Sequence, residues 1–295
     1  WVAPLYERMP NVGSVIAAPF AHGRFDLTAR WQLGRALRAH SYQNAYILPN
    51  SLKSALPTFF AGIPNRIGFT GESRYGLINR RQPLDKQFLP RMVDRFLALG
   101  PTGTATLNAD MPRLSAATGA FERLRQSLGL EIRGKLAILC PGAEYGPAKR
   151  WPAKHFATLA QQLSQEGYTV WTIGSTKDQE IGETIERLSN SLAINLCGRT
   201  QLADAIDLLS SADVVVSNDS GLMHVAAALN RPLIALFGSS SPTFTPPLSK
   251  QVAILQHPVP CSPCFARTCR YGHLDCLTLL SPDLVKTSIR TLNQE

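Results

Sequence analysis

The second half of the chain alternates predicted strands with predicted helices, joined by short connections. A buried strand is predicted at KLAILCPG (135–142), and an amphipathic helix follows at 152–167, where apolar residues recur at helical spacing. The alternation continues through the strands YTVWTIGS, LAINLCG, DVVVSN and PLIALFG. Such a pattern predicts an α/β fold whose mostly parallel sheet carries helices on both faces.

Polar and flexible residues follow each of these predicted strands. The strand ends read CPGAEYGPAK, GSTKD, CGRT, SNDSG and FGSSS, so all five carry glycine, small hydroxyls or charge. In parallel sheets, ligands bind beyond the carboxyl ends of the strands, which predicts a site along this edge. The patterns GxGxxG and GxxxxGK[ST] are absent from the sequence, which argues against a standard dinucleotide fold or a P-loop.

The charge of the chain points to an anionic partner. The formal net charge is +9, although only 17% of residues are charged. Candidate partners are nucleic acid, an acidic membrane surface or phosphorylated small molecules, and nucleic acid is disfavoured because no RNA-binding aromatic motif, zinc finger or basic run is present. No apolar run reaches the roughly 18 residues of a membrane span. Six cysteines in a chain without a recognisable leader suggest a reducing cytoplasm.

A polar turn joins the predicted strand DVVVSN to the next predicted helix. It consists of Asn218, Asp219, Ser220 and Gly221, and His224 follows one helical turn later. Backbone N–H groups at a helix start favour an anion, and glycine lets a phosphate or sugar approach closely. Ser220 could donate to a phosphate oxygen, and Asp219 could accept from sugar hydroxyls. The alternative is that Asp219 or Ser220 merely caps the helix while His224 packs under it.

Two further strand ends carry charged residues. In CPGAEYGPAKRWP (140–152), Lys149 could neutralise a departing diphosphate and Arg150 could assist it. A lone lysine before a helix is also a common solvated surface residue. In GSTKDQE, Lys177 and Asp178 add a cation and a carboxylate that could read a ribose, with a helix cap as the alternative for Asp178.

The first half of the chain is less regular. The segment 44–64 predicts a strand, a Pro-Asn corner and a helix capped by Asn50 or Ser51. The segment 66–86 is predicted to be loop-like, and its arginines, each ordinary on a solvated surface, could together recognise an acceptor bearing carboxylates or phosphates. Two helices are predicted after it. The domain boundary is predicted near Gly134, and the tail SPDLVKTSIRTLNQE predicts a final helix.

A cysteine-rich segment, CSPCFARTCRYGHLDC (261–276), stands out after the last predicted strand. The spacing of its four cysteines and of His273 is compatible with zinc or an iron–sulfur cluster. The second pair is not a clean CxxC, so buried thiols that shape a loop are the alternative.

Several of these motifs together resemble a known family. NDSGLMHVAAAL, CPGAEYGPAKRWP, LPNSLKSAL, GESRYGLINRR and the cysteine segment are similar, in order and over nearly the whole chain, to bacterial ADP-heptose:lipopolysaccharide heptosyltransferases of glycosyltransferase family 9, in particular the heptosyltransferase II branch. The resemblance implies a GT-B fold, in which two Rossmann-like domains with parallel sheets face a central cleft. It implies an acceptor-binding domain at 1–134, an ADP-heptose-binding domain at 135–281 and a C-terminal helix at 282–295.

The resemblance also implies the reaction. Heptose would move from ADP-heptose to the heptosyl-Kdo₂ inner core of lipopolysaccharide, with inversion and without a metal ion or other cofactor. The partners would be the donor and the inner-core acceptor, with no nucleic acid and no transmembrane span. The enzyme would be cytoplasmic and peripheral to the cytoplasmic face of the inner membrane.

The resemblance also implies functional roles for the residues of this sequence that match the family's motifs. Lys149 would stabilise the leaving diphosphate as the catalytic residue. The implied donor-binding residues are Gly142, Glu144, Lys149, Gly174, Lys177, Asp178, Asn218, Asp219, Ser220, Gly221 and His224. The implied acceptor-binding residues are Lys53, Arg66, Arg74, Arg80 and Arg81.

One departure from the family pattern concerns the start of the chain. The family opens with a strand and a glycine-rich loop whose aspartate is the expected general base, and this chain opens after that point. The expectation is that about fifty residues of the N-terminal domain, including the base, are absent from this sequence.

Two other interpretations remain open at this stage. Fold does not fix substrate, so another GT-B sugar-nucleotide transferase or an epimerase is one. A non-catalytic module that binds nucleotide sugars or polyanions is the other.

Overall fold

The computed structural model of the protein describes residues 2–21, 23–101 and 110–294. The described chain forms two compact units: one contains Trp1–Val15, Met111–Pro242 and Pro246–Glu295, and the other contains Ile16–Asp110 and Thr243–Thr245. The helices are α1 (Ala3–Glu7), α2 (Leu27–Leu37), α3 (Leu52–Phe60), α4 (Met92–Ala98), α5 (Ala120–Ser127), α6 (Ala153–Gln165), α7 (Gln179–Leu188), α8 (Leu202–Leu209), α9 (Gly221–Ala228), α10 (Asp275–Thr278) and α11 (Pro282–Leu292). The strands are β1 (Asn44–Tyr46), β2 (Asn65–Phe69), β3 (Arg80–Gln82), β4 (Lys135–Cys140), β5 (Tyr168–Thr172), β6 (Ala193–Asn195), β7 (Val214–Asn218), β8 (Leu233–Phe237) and β9 (Val252–Gln256).

The larger unit is built on a six-stranded parallel sheet in the order β6-β5-β4-β7-β8-β9. The predicted strand–helix alternation from 135 to 238 is confirmed. Every residue of β7 and β8 is buried, which is the pattern of a strand covered on both faces. The edge strand β9 was not predicted from the sequence, and its residues are only partly buried.

Helices cover both faces of this sheet because side chains alternate along each strand. Leu136 and Ile138 of β4 belong to one hydrophobic cluster, together with residues of α8 and α9. Ala137 and Leu139, which alternate with them along the strand, belong to a second cluster with residues of α6 and α7. Helices α6 and α9 therefore pack on opposite faces of the sheet.

The start, the buried face and the end of helix α6 can each be traced to particular residues in the sequence. It starts after Pro152, and its buried residues are Phe156, Ala157, Leu159, Ala160 and Leu163, which form one stripe at helical spacing. It ends before Gly167, whose φ of 84° is a left-handed conformation that glycine adopts without a Cβ penalty. The stripe packs on the sheet beside Trp151, which is fully buried.

The smaller unit has a three-stranded parallel sheet in the order β1-β2-β3. The strand and helix predicted within 44–64 are confirmed as β1 and α3, and the prediction that 66–86 is loop-like is wrong for β2 and β3. These strands are three to five residues long and rich in arginine, so they lack the apolar alternation that marks a strand. Helices α2 and α3 pack closely at Gly34, where a Cβ would lie 2.5 Å from the Cβ of Phe60.

The division between the units differs from the boundary predicted near Gly134. Helix α5 and the segment before it belong to the larger unit, because Leu114 and Leu130 are buried in its core and the Leu114 N–H donates to the Ala228 carbonyl at 2.9 Å. Arg8, near the start of the chain, forms a two-point ion pair with Asp207 of α8 at 2.8 and 3.0 Å. The final helix is confirmed as α11, and its buried Val285 and Ile289 share a core cluster with α6 rather than forming a separate segment.

Among the described residues, no helix has the length and apolar character needed to cross a bilayer.

Candidate functional site

The predicted donor residues meet at one edge of the larger unit's sheet. They follow the carboxyl ends of β5, β4 and β7, which are neighbours in the sheet order. The loop after β5 carries Gly174, Lys177 and Asp178, and the loop after β4 carries Gly142, Glu144 and Lys149. Strand β7 ends at Asn218, and the residues from there to His224 form the turn and the first part of α9. The parallel sheet thus gathers three separate segments into one place.

Lys149 and Asp219 form the centre of this cluster. The Lys149 Nζ lies 2.5 Å from the Asp219 Oδ2, and the two side chains are 17% and 6% exposed. Lys149 is held by a short 3₁₀ turn, Pro147–Lys149, and the Asp219 N–H donates to the Leu236 carbonyl of β8 at 3.1 Å. A largely buried carboxylate needs such a partner, so the pair fixes the geometry of both segments.

Asn218 joins the β7 end to the turn that carries Lys149. Its side chain is fully buried, its Oδ1 accepts from the Trp151 N–H at 3.0 Å, and its Nδ2 donates to the Pro141 carbonyl at 2.8 Å. Both polar atoms are thus used within the protein. Asn218 thereby positions the turn, and its predicted contact with the donor stays a prediction.

The start of α9 is open to a ligand. Ser220 is the N-cap residue in an extended conformation, and its side chain makes no capping hydrogen bond; its Oγ lies 3.3 Å from the Ser217 Oγ. A Cβ built at Gly221 would meet nothing within 4 Å, so packing does not demand glycine there. The capping alternative is therefore not what Ser220 does, and the first N–H groups of α9 remain available to an anion.

His224 lies one turn into α9 and retains contact with solvent. Desolvation by the surrounding protein is the main cause that lowers the pKa of its imidazole. The charge of Lys149 lowers the pKa further, whereas the carboxylate of Asp219 opposes the shift. The imidazole consequently stays neutral to lower pH than an ordinary histidine, and can both donate and accept a hydrogen bond.

Asp178 has a structural role at the β5 end. Its Oδ2 accepts from the Ser175 N–H at 2.9 Å and from the Ser175 Oγ at 2.7 Å, which forms a capping box, and its Oδ1 lies 3.5 Å from Arg150. Gly142 and Gly174 make room for it, since a Cβ at Gly142 would lie 2.5 Å from the Oδ2. The capping alternative describes the Oδ2 contacts of Asp178, and the predicted ribose contact stays a prediction.

Glu144 and Lys177 form an exposed ion pair between the β4 and β5 loops. Their charged atoms lie 2.5 Å apart, and hydrogen bonding to Lys177 is the main cause that lowers the pKa of Glu144. Exposed pairs of this kind contribute little to stability, so either side chain can turn to a ligand at small cost.

The predicted acceptor arginines divide into two groups. Arg74 is only 2% exposed, and its guanidinium donates to the carbonyls of Pro49, at 2.7 Å, and Phe69. Arg66 likewise donates to the carbonyls of Leu77 and Ile63, at 2.7 and 2.6 Å. Backbone carbonyls of their own unit thus occupy several N–H groups of each guanidinium, and the predicted acceptor contacts of Arg66 and Arg74 stay predictions.

The other predicted acceptor residues remain at the surface of the smaller unit. Arg80 and Arg81 are exposed on β3, and Lys53 is half-buried on α3. Arg81 lies over the Tyr75 ring, 5.2 Å from its centroid. These cations are available to an anionic ligand.

The cysteine loop, residues 261–276, lies next to the Lys149 turn. Its four cysteines are reduced and line one shallow pocket together with Ala148 and Ser239. Across the described ranges 2–21, 23–101 and 110–294, no three His, Cys, Asp or Glu side chains are placed to hold a metal ion. Of the four thiols, Cys276 is buried, Cys261 and Cys269 are half-buried and Cys264 is exposed.

The sequence analysis missed Tyr145 as part of the site. Its ring lies 5.1 Å from the Lys149 Nζ, and its hydroxyl donates to the Phe265 carbonyl of the cysteine loop at 2.7 Å. An aromatic residue four positions before the lysine was the only available signal, and sequence alone could not show that it contacts a segment about 120 positions away.

Comparisons with known proteins show which family the chain resembles. Residues 30–275 match Glycosyltransferase family 9 (heptosyltransferase). Lipopolysaccharide heptosyltransferase 2 of Escherichia coli K12 is 46% identical over 267 residues, which cover 87% of this chain and 77% of that protein. Lipooligosaccharide heptosyltransferase 2 of Haemophilus influenzae is 43% identical over 272 residues, with the same coverage.

Solved structures confirm the predicted GT-B fold class. The structure of E. coli ADP-heptose LPS heptosyltransferase II aligns with a TM-score of 0.87 and 41% identity, over 100% of this chain and 87% of that one. A family 9 glycosyltransferase from Veillonella parvula, at 20% identity, aligns with a TM-score of 0.83 over 99% of this chain and 85% of its own, and shows the fold alone. On the extent of these matches, the chain belongs to glycosyltransferase family 9, the heptosyltransferase family.

Proposed function

We propose that this protein transfers heptose from ADP-heptose to the heptosyl-Kdo₂ inner core of lipopolysaccharide, with inversion at the anomeric carbon and without a metal ion. The observation that carries the proposal is the Lys149–Asp219 pair at the open start of α9, in a chain 46% identical to a lipopolysaccharide heptosyltransferase 2. A cation, a hydroxyl and unused backbone N–H groups converge there, which suits a sugar diphosphate.

The donor's diphosphate is proposed to bind between the Lys149 turn and the start of α9. Ser220 and the N–H groups of α9 would donate to phosphate oxygens, and Gly221 would let the phosphate approach the backbone. Asp219 keeps Lys149 aimed at this point, and His224, neutral and in contact with solvent, would hydrogen-bond to the sugar or its phosphate. Glu144 and Lys177 would contact the nucleoside side of the donor from the neighbouring loops.

In the reaction, a hydroxyl of the acceptor attacks the anomeric carbon in line with the departing diphosphate. The bond between that carbon and the phosphate oxygen breaks, its electron pair leaves with ADP, and the hydroxyl proton passes to a base. Lys149 and the α9 amides stabilise the negative charge that builds up on the leaving group, which is worth most in a site already organised before the reaction. We assign the base to no residue of this sequence.

The acceptor is proposed to bind the smaller unit through exposed cations. Lys53, Arg80 and Arg81 present positive charge, and the inner core of lipopolysaccharide is anionic and anchored in lipid. A net charge of +9 favours such a surface. We therefore propose that the protein works at the cytoplasmic face of the inner membrane as a peripheral enzyme.

The test is donor turnover by the purified full-length protein, which includes the N-terminal segment expected to carry the base. Release of ADP is followed with an inner-core acceptor, using ADP-heptose and, separately, UDP-glucose and GDP-mannose, all with a chelator present. Turnover of ADP-heptose alone is expected. Equal use of all three nucleotide sugars would contradict the assigned donor, and tight ADP-heptose binding without ADP release would indicate a binding module instead.

A further inference from the structure

The cysteine loop reaches the Lys149 turn through Tyr145. The guanidinium carbon of Arg267 lies over the Tyr145 ring, 5.2 Å from its centroid, and the Lys149 Nζ lies 5.1 Å from the same centroid. The Tyr145 ring thus makes cation–π contacts with two side chains that are more than a hundred residues apart in the sequence. A cation over an aromatic face is attracted by the ring, so Tyr145 attracts both side chains.

The backbone of Arg267 is fastened to the same turn. Its carbonyl accepts from the Ala148 N–H at 3.0 Å, and a Cβ at Gly146 would lie 2.4 Å from that carbonyl oxygen, so only glycine permits the approach. The Tyr145 hydroxyl adds the hydrogen bond to Phe265, and the Phe265 N–H donates to the Ser239 carbonyl at 2.7 Å. Arg267 is therefore placed by several contacts that do not use its charge.

Lys149 and Arg267 differ in whether a carboxylate neutralises their charge. Lys149 is neutralised by Asp219, whereas the exposed guanidinium of Arg267 makes no hydrogen bond or ion pair with any residue in the described part of the chain. A diphosphate carries negative charge on both phosphates, and a single cation already paired to a carboxylate does not balance it. Within the described ranges, Arg267 is an unpaired cation whose backbone is fastened to the Lys149 turn, and its planar fork of N–H groups suits phosphate oxygens.

We propose that Arg267 is a second cationic binding residue for the donor's diphosphate, and that Tyr145 positions both Arg267 and Lys149 for it. The inference rests on the proposed function, because it assumes that a nucleoside diphosphate sugar binds at the Lys149 turn. The cysteine loop is then part of the donor site rather than a distant structural element.

The experiment measures the affinity of ADP, AMP and adenosine for the full chain by titration calorimetry. Arg267→Ala and Arg267→Gln are expected to weaken ADP binding at least tenfold, to weaken AMP binding less, and to leave adenosine binding unchanged. Arg267→Lys is expected to recover part of the loss. The matched control is Arg270→Ala, since Arg270 is an exposed arginine of the same loop that lies over Tyr271, 4.9 Å from that ring's centroid.

Tyr145 variants separate positioning from folding. Tyr145→Phe keeps the ring and loses the hydrogen bond to Phe265, and is expected to weaken ADP binding less than Tyr145→Leu, with the thermal midpoint recorded for each. If Arg267→Ala binds ADP as tightly as the unsubstituted chain does, the role of Arg267 is overturned while the proposed function stands. If Arg267→Ala loses adenosine affinity as much as ADP affinity, the site is damaged in general, and the role of Arg267 is overturned as well. Failure of the unsubstituted chain to bind ADP would overturn the proposed function, and this role with it.

Discussion

Asn218 and Trp151 are joined by a buried hydrogen bond: the side-chain Oδ1 of Asn218 accepts the Trp151 N–H at 3.0 Å. The other end of the same amide donates to the Pro141 carbonyl, so one side chain closes the turn that carries Lys149 at both ends. The position of Lys149 thus depends on a strand residue that need not contact a ligand.

We expect Asn218→Ala to lower the free energy of unfolding by about 2–4 kcal/mol, because a buried N–H and a buried carbonyl each lose their partner. ADP affinity should fall as well, since the turn is released. Urea denaturation and ADP titration check this. Asn44→Ala is the control, since Asn44 is exposed at the start of β1 and its removal should change stability by less than about 0.5 kcal/mol.

Lys149→Met should reduce kcat by about a hundredfold or more, because an organised positive charge opposite the leaving diphosphate is lost. It should also destabilise the fold, since Asp219 keeps a largely buried charge without its partner. The double variant Lys149→Met with Asp219→Leu should recover stability but not activity. Recovery of activity in the double variant would contradict a catalytic role for Lys149.

Two glycine substitutions should have opposite profiles. Gly221→Ala meets no protein atom within 4 Å and adds a better helix former, so stability should stay equal or rise by up to about 1 kcal/mol while ADP binding weakens. Gly142→Ala forces a Cβ against the Asp178 carboxylate and should cost about 1–3 kcal/mol of stability. Thermal unfolding and ADP titration of both variants test the contrast. Unchanged ADP affinity in Gly221→Ala would contradict the proposal that a phosphate binds at the start of α9.

The two groups of arginines should separate by experiment. Arg80→Gln and Arg81→Gln should weaken acceptor binding, reduce its dependence on salt and leave stability within about 0.5 kcal/mol. Arg74→Gln should lower stability, because it leaves the Pro49 and Phe69 carbonyls without their donor in a buried position. Acceptor KM at several salt concentrations, measured beside urea unfolding, distinguishes the groups. If neither substitution changes the acceptor KM, the acceptor does not bind at Arg80 and Arg81.

The cysteines should react with iodoacetamide in a defined order. Burial raises the pKa of Cys197 to about 12 and also raises that of Cys140, so neither forms the reactive thiolate between pH 7 and 9 in the native protein. Hydrogen bonds from backbone N–H groups, first that of Leu274, lower the pKa of Cys269, so its thiolate is present at lower pH. Peptide mass mapping after short labelling should show Cys269 modified while Cys140 and Cys197 react only in urea.

The larger unit was predictable in its main features because hydrophobic periodicity is a local signal. The strands β4, β5, β7 and β8 and the helix α6 follow directly from apolar runs, prolines and glycines in the sequence. The association of Lys149 with the Asp219 turn also follows, since parallel strands end at one edge.

The roles of individual polar side chains were not predictable in the same way. Asn218, Asp178, Arg66 and Arg74 look like ligand contacts in the sequence, yet each uses its polar atoms on groups within its own unit. Which buried carbonyl or N–H a side chain satisfies depends on segments brought together only by the tertiary fold. The same reason hides Tyr145 and Arg267, whose meeting requires the approach of two loops.

The packing of α6 and α9 on opposite faces of the sheet has a consequence for how the specificity of this enzyme can change. The connections that leave β4 and β7 lead to helices on opposite faces of the sheet, and in parallel α/β sheets ligands bind between two such connections. Residues bordering that crevice lie in loops, whereas the strands beneath are closed on both sides. New sugar or nucleotide preferences can therefore arise through changes in two connections while the sheet that supports them stays the same.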